Sequence, residues 1–332
     1  MDVAVAGSHG FIGSALVADL VARGHGVRRL VRRGTGSGDR TRSGSGKGSR
    51  GTGSSDDGAL RANLATAATD RPGVRQVLWD PRTGELDPAA LEGSDAVVNL
   101  AGAGVGDHRW TAAYRQKLLG SRTTTTSLLA RTIARLDSPP VLVNASGTGA
   151  YGDRGDEVLT EASERGDDFL AQLVTAWENA TAPAADAGAR VVWLRSGIVL
   201  GASGGAVGRL LPLLRLGIGG PLGGGRQWWS WITLLDEVAA IRHVIGADVR
   251  GPVNAVAPEP TTNRELTRAL AEALHRPAAL TVPRFALRIA VGQLAGELVA
   301  SQRVVPAVLS RTGFAWTHAA PEEAARWVAA GG

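Results

Sequence analysis

The sequence predicts an α/β protein: a doubly wound parallel sheet with a smaller, mostly helical C-terminal lobe that covers a substrate. Three observations predict it. The chain opens on a short apolar run, Val3 to Ala6, which ends at Gly7 and leads into a helical apolar period from about Phe11 to Arg23. Apolar runs and helical periods then alternate to about residue 200, as a parallel sheet with right-handed crossovers requires. Beyond Gly201 the alternation breaks into Gly-rich loops and separated helical stretches.

The elements follow in order. Gly24-His25-Gly26 stops the first helix, and Val27–Val31 reads as a second strand. Residues 34–72 interrupt the pattern. The part from Gly34 to Asp57 is rich in Gly, Ser and Thr with no large apolar residue, so it is expected to be a flexible insertion. Strands resume at Val74–Leu78, Asp95–Leu100, Val141–Ala145 and Arg190–Leu194, with helices expected over Ala112–Leu136 and Asp168–Ala187. Further helices are expected at Leu235–Ile245, Asn263–Leu274 and Phe285–Leu298, and a last strand at Pro252–Ala255. The expected organisation is a nucleotide-binding domain over 1–200, to which 232–258 returns. The smaller lobe would be built from 201–231 and 259–332.

Composition narrows the chemistry. At 332 residues the chain buries a substantial core. No apolar run reaches the roughly 18–20 residues of a membrane helix, and no signal-peptide pattern precedes the first strand, so a cytoplasmic protein is expected. There are no cysteines, which removes disulfides, thiolate metal sites and a Cys nucleophile. The six histidines form no metal-ligand pair, so no metal site is expected. Net charge is +5, and of 36 basic residues only Lys47 and Lys117 are lysines. No basic helix interleaved with aromatics appears, so nucleic acid is not an expected partner; a small-molecule substrate is.

The first strand ends in Gly7-Ser8-His9-Gly10-Phe11-Ile12-Gly13, with glycines at i, i+3 and i+6. In a Rossmann fold the first lets the chain turn off the strand. The second admits a pyrophosphate close to the backbone, and the third lets the helix pack on the sheet. The helix N-terminus adds free N–H groups and a positive dipole. Position confirms the motif, because it follows the first apolar strand and opens a helix. NAD-binding folds often carry an acid at the end of the second strand, but here Val31 is followed by Arg32 and Arg33, with no Asp or Glu between Asp19 and Asp39. Arginines there suit a 2′-phosphate, which favours NADP over NAD. Asp80 could meet the adenine or simply close a turn. Leu100, Ala101 and Gly102 end the fourth strand with residues small enough for close approach of the cofactor.

Together these segments resemble the extended short-chain dehydrogenase/reductases, and more narrowly the atypical subgroup called epimerase family proteins. The resemblance rests on AGSHGFIGSAL, DAVVNLAGAGV, ASGTGAYG, LRSGIVLG, GGPLGGGRQWWSWI, GPVNAVAPEP and the tail SQRVVPAVLSRTGF. It spans nearly the whole chain outside 34–72. It implies that Ser196, Gly197, Ile198 and Val199 flank the nicotinamide, and that relatives dimerise through helices corresponding to 112–136 and 168–187. It also implies a Ser, a Tyr, and a Lys four residues after the Tyr, which tunes the phenol as a base. This chain has only Tyr114 and Tyr151 as tyrosines and contains no Tyr-xxx-Lys. Leu170 and Val174, or their neighbours, fall where the pair is expected, and Ser146 falls where the family serine does. Ser146 and, as an alternative acid, Tyr151 are therefore the catalytic candidates. Thr148, Arg226, Trp228, Trp229 and Trp231 are the substrate candidates, the tryptophans reading equally well as core of the lobe. Two functions are open: an NADP(H)-dependent oxidoreductase or epimerase acting on a small organic molecule, and a non-catalytic NADP(H) sensor or scaffold.

Overall fold

The computed structural model describes residues 1–32, 73–278 and 280–332; the expected insertion at 34–72 and Arg33 lie outside the described residues. Seven strands form one sheet: β1 (Asp2–Ala6), β2 (Gly26–Arg32), β3 (Val74–Trp79), β4 (Ala96–Asn99), β5 (Val141–Gly147), β6 (Val191–Ser196) and β7 (Gly251–Ala255). Their order is β7-β6-β5-β4-β1-β2-β3, and every pairing is parallel. The order reverses direction between β1 and β4, the switch point where such sheets open a crevice at their C-terminal edge.

Alternation along β1 sets the layers. Val3 and Val5 join one core with Leu16, Val17 and Leu20 of helix α1 (Phe11–Ala22) and with Val238, Ile241 and Val244 of the helix Leu234–Gly246. Ala4 and Ala6 point the other way, into a core with Leu128, Leu129 and Ile133 of helix α2 (Ala112–Ile133). Successive strand residues face opposite sides, so a five-residue strand serves both layers. Both faces of the sheet are covered, as the near-continuous apolar runs of its strands demand.

β7 brings the chain back to the sheet after the lobe has begun. The lobe has its own core, in which Leu211 and Leu214 meet Trp229, Trp231, Leu266, Leu270 and Val328. Two expected helices are broken. Residues 168–187 split into α3 (Phe169–Asn179) and Ala182–Asp186, because Pro183 cannot donate to the preceding turn. Residues 285–298 split into Arg284–Val291 and Leu294–Val299 at Gly292, whose φ of 65° ends the first helix. A helix at Gly205–Arg215 stands where loops were expected, with Pro212 inside it.

Candidate functional site

The β1–α1 turn sits at the switch point. Gly7 has φ +80°, and a Cβ on it would lie 2.6 Å from the Leu100 carbonyl carbon and oxygen. A Cβ on Gly13 would fall on the Gly7 carbonyl oxygen, so both glycines are required by contact between β1, α1 and β4. Gly10 differs. It is exposed, and a Cβ there would meet only the Gly7 oxygen, at 3.3 Å. Its absence of side chain serves the open side of the turn. Gly10 caps α1 without a side-chain hydrogen bond, and no acid occupies the first helical turn. The first N–H groups of α1 are therefore left for an external acceptor. His9, Gly10, Phe11, Ser14, Ser203 and Leu234 line a depression of about 460 Å³ beside the turn.

Several predicted residues lie at the C-terminal ends of the strands on the side of this turn. Leu100 donates its N–H to Ala6 at 2.9 Å, and the Ala101 N–H is held by Asn99 Oδ1 at 3.2 Å. Gly102 is exposed and lies on the Arg122 side chain. Arg122 is buried, donates to the Ala103 carbonyl at 2.9 Å, and stacks over Trp177 at 4.8 Å. Burial without an acid partner pushes its pKa down to about 10. Ser196 donates to Glu237 Oε1 at 2.6 Å, and a Cβ on Gly197 would collide with the Ser230 carbonyl. Ile198 and Val199 pair in parallel with Trp231 and Ile232. The lobe closes over the turn as Gly201, Gly204 and Gly205 pack on the Phe11 ring. Arg209 then reaches Gly106 and Asp107 in the loop after β4. Arg32 is exposed at the end of β2.

Asp80 ends β3, at the far edge of the sheet. It bridges to Glu85 and accepts the Arg82 N–H at 2.9 Å, and hydrogen bonds from Arg82 hold its carboxyl below the usual range. These contacts close a turn after β3.

Ser146 and Tyr151 belong to one buried polar network. Ser146 donates to Glu178 Oε1 at 2.6 Å. Glu178, on α3, is fully buried and receives Arg195 through Nε at 3.0 Å and Nη2 at 3.1 Å, with Arg165 completing its contacts. Burial alone would raise the Glu178 pKa, but Arg195, Ser146 and Arg165 outweigh it and hold the carboxyl below the usual range. Arg195 Nη1 also donates to the Tyr151 hydroxyl at 3.0 Å, which in turn donates to Asn254 Oδ1 at 2.6 Å. Tyr151 is 0% exposed, and burial pushes its phenol upward despite Arg195. With its oxygen engaged on both sides and no exposed surface, Tyr151 ties β5 to β6 and β7, and the role of alternative acid has no geometric support. Thr148 is buried in the short helical turn that links Ser146 to Tyr151.

The tryptophans divide. Trp229 and Trp231 lie in the core of the lobe, 5% and 1% exposed, which is the packing alternative. Trp228 is half-buried, donates to Asp156 at 2.8 Å and carries Arg303 over its ring at 4.4 Å. Arg226 is exposed beside them. On α3, Val174 is buried and Leu170 packs on Gly149.

Two acids escaped the sequence. Glu237 is fully buried in the helix behind Ser196, and burial pushes it up to about 7. Glu297 is half-buried on a lobe helix, where burial and the charges of Asp168 and Asp153 push it up to about 7 against the pull of Arg115. No spacing distinguishes either from a surface glutamate. Only the packing of distant segments makes them unusual.

Fold and turn define a class: a doubly wound α/β protein with a glycine turn at its switch point, closed over by a C-terminal lobe. The chain belongs to the NAD dependent epimerase/dehydratase family, whose profile matches residues 3–257; a domain of unknown function, DUF1731, matches 282–328. It is 41% identical to an epimerase family protein of Mycobacterium tuberculosis, over 95% of this chain and 93% of the relative. The crystal structure of the human epimerase family protein SDR39U1 (isoform2) with NADPH matches with a TM-score of 0.80 at 32% identity, over 99% of both chains. A nucleoside-diphosphate sugar epimerase from Corynebacterium glutamicum matches with a TM-score of 0.72 at 32% identity, over 99% of this chain and 58% of that one. Among the described residues no helix is long and apolar enough to cross a membrane.

Proposed function

We propose that this chain binds NADP(H) across the switch point and acts as an oxidoreductase or epimerase on a small organic molecule. The observation that carries the reading is the β1–α1 turn. Gly7 and Gly13 are fixed by contact with protein, while Gly10 and the uncapped helix N-terminus are left open to an anion. That cradle fits a pyrophosphate. Residues Gly7 to Gly13, Leu100 to Gly102 and Ser196 to Val199 would line the cofactor. Preference for the phosphorylated dinucleotide is supported by Arg32 at the end of β2, by the lack of an acid there, and by the human relative described with NADPH. When bound, such a cofactor would supply hydride chemistry. Ser146, its hydroxyl oriented by Glu178, is the residue we propose to order a substrate oxygen or the cofactor carboxamide.

A second reading is a non-catalytic NADP(H) sensor or scaffold. It is favoured by the stretch of α3 around Leu170 and Val174, where or next to where the resemblance expects Tyr and Lys, and by the interior position of Tyr151. Titration calorimetry of the purified protein tests the common part: NADPH is expected to bind at micromolar or tighter concentrations and NADH more weakly. Absence of binding by either at millimolar concentration overturns both readings. A carbonyl and alcohol panel then separates them. Turnover that Ser146→Ala abolishes supports the enzyme, and bound cofactor that is never consumed supports the sensor.

A further inference from the structure

Arg28 and Arg29 are neighbours on β2, both buried, at 6% and 4% exposure. They point to opposite faces of the sheet. Arg28 is satisfied: it meets Asp2 at 2.7 Å and donates to the carbonyls of Ala90 at 3.0 Å and Glu92 at 2.6 Å. Arg29 is not. Among the described residues its one side-chain hydrogen bond runs from Nε to the Ser8 hydroxyl at 3.3 Å, Nη1 is buried without a partner, and no carboxylate pairs with it. A guanidinium out of water is costly unless an anion compensates it, and the described residues supply none here.

The position of this bare cation points to its missing counter-ion. Arg29 pairs in register with Val5 of β1, on the face that carries α1. It therefore lies beside the turn from β1 to α1 and holds that turn by its second residue. Ser8 is 0% exposed, and its hydroxyl lies 3.4 Å from His9 Nδ1. The exposed His9 ring, on the open side of the turn, feels the Arg29 charge: burial and Arg29 together hold its pKa below the usual value. The field of Arg29 thus adds to the dipole of α1 where the turn lies open.

We propose that Arg29 is the fixed counter-charge for a phosphate of the bound dinucleotide, acting from beneath the glycine turn through Ser8 and His9. The proposal rests on the cofactor reading above and goes beyond it. It assigns phosphate recognition to an interior arginine of β2, in addition to the exposed Arg32 at the strand's end. The phosphate is either the pyrophosphate at the helix N-terminus or the 2′-phosphate of the adenosine ribose. Binding then neutralises a charge that the described residues leave uncompensated, so the dinucleotide stabilises the fold beyond its contact surface.

The test compares wild type with Arg29→Met, which keeps an unbranched apolar stem, and Arg29→Lys, which keeps the charge. Calorimetry and thermal unfolding are run in phosphate-free buffer with NADPH, NADH, ADP and 2′,5′-ADP. Arg29→Met is expected to melt no lower than wild type without ligand, and to lose ten- to one-hundred-fold in affinity. Loss confined to NADPH and 2′,5′-ADP assigns the 2′-phosphate; loss that extends to NADH and ADP, which lack it, assigns the pyrophosphate. Arg29→Lys should retain part of the affinity. Unchanged affinities in a folded Arg29→Met overturn the proposal while leaving the cofactor reading intact. Failure of wild type to bind any of the four overturns both. If Arg29→Met does not fold, Arg29→Gln carries the same comparison.

Discussion

Replacing Glu237 with glutamine tests whether this acid is neutral in the folded protein. Glu237 is fully buried, its Oε1 accepts the Ser196 hydroxyl at 2.6 Å, and its Oε2 has no partner. Burial moves its pKa from the ordinary 4.5 to about 7, with the Ser196 hydrogen bond a smaller opposing effect. The sign follows from proton counting. Between those two values the folded protein holds a proton that the unfolded chain has released, so stability falls as pH rises through the window and levels off above it. A shift of that size corresponds to about 3 kcal/mol in full, of which about 2–3 kcal/mol falls between pH 5 and pH 8. Glutamine mimics the protonated acid and keeps the Ser196 hydrogen bond, at the cost of a buried amide worth about 1–3 kcal/mol at every pH. Urea unfolding of both proteins without cofactor, at pH 5 and pH 8, isolates the effect. The difference between variant and wild type should move by about 2–3 kcal/mol in favour of Glu237→Gln on going to pH 8. A difference that does not change with pH would mean that Glu237 is already ionised, and the reasoning from burial would fail.

Four further outcomes follow from contacts described above. Gly10→Ala meets little protein and should cost less than about 1 kcal/mol of stability, yet weaken NADPH binding at least tenfold in calorimetry. Gly7→Ala should cost about 1–3 kcal/mol from backbone strain before the collision with Leu100 is counted, lowering the melting temperature as well as binding. Glu178→Ala leaves Arg195 buried without its acid and should destabilise the fold by about 3–5 kcal/mol in urea unfolding. Tyr151→Phe should cost about 1–3 kcal/mol by stranding Asn254 and Arg195. It should leave any measured turnover within a few-fold of wild type, and a large loss of turnover at full stability would restore Tyr151 as a catalytic candidate.

Much of the fold was legible because its signals are local. Val3 to Ala6, the glycines at 7, 10 and 13, and the helical period from Phe11 lie within twenty residues of one another, and each constrains its neighbours. The helix ends at Thr181–Pro183 and at Gly292 were readable in principle, since proline and glycine mark them. The Gly205–Arg215 helix was hidden by its flanking glycines and by Pro212. The site was less legible where its character depends on residues brought together from afar. Arg28, Arg29, Arg32 and Arg33 look alike in sequence, but Asp2 and the 90–92 carbonyls satisfy only the first of the buried two. Ser146 and Tyr151 stood out by residue type and strand-end position. Their partners Glu178, Arg195 and Asn254 come from three other elements, and nothing in the spacing announced them.

The Glu178–Arg195–Tyr151–Asn254 network also bears on how the sheet finds its alignment. A parallel strand that slips by two residues keeps every side chain on its original face, so apolar patterning alone does not penalise the error. Such a slip of β6 against β5 would carry Arg195 away from Glu178 and Tyr151, leaving a charge in the interior at a cost of about 3–5 kcal/mol. That is comparable to a large share of a domain's whole stability. The buried ion pair thus acts as an indexing pin, rejecting misaligned sheets that the hydrophobic cores would otherwise accept.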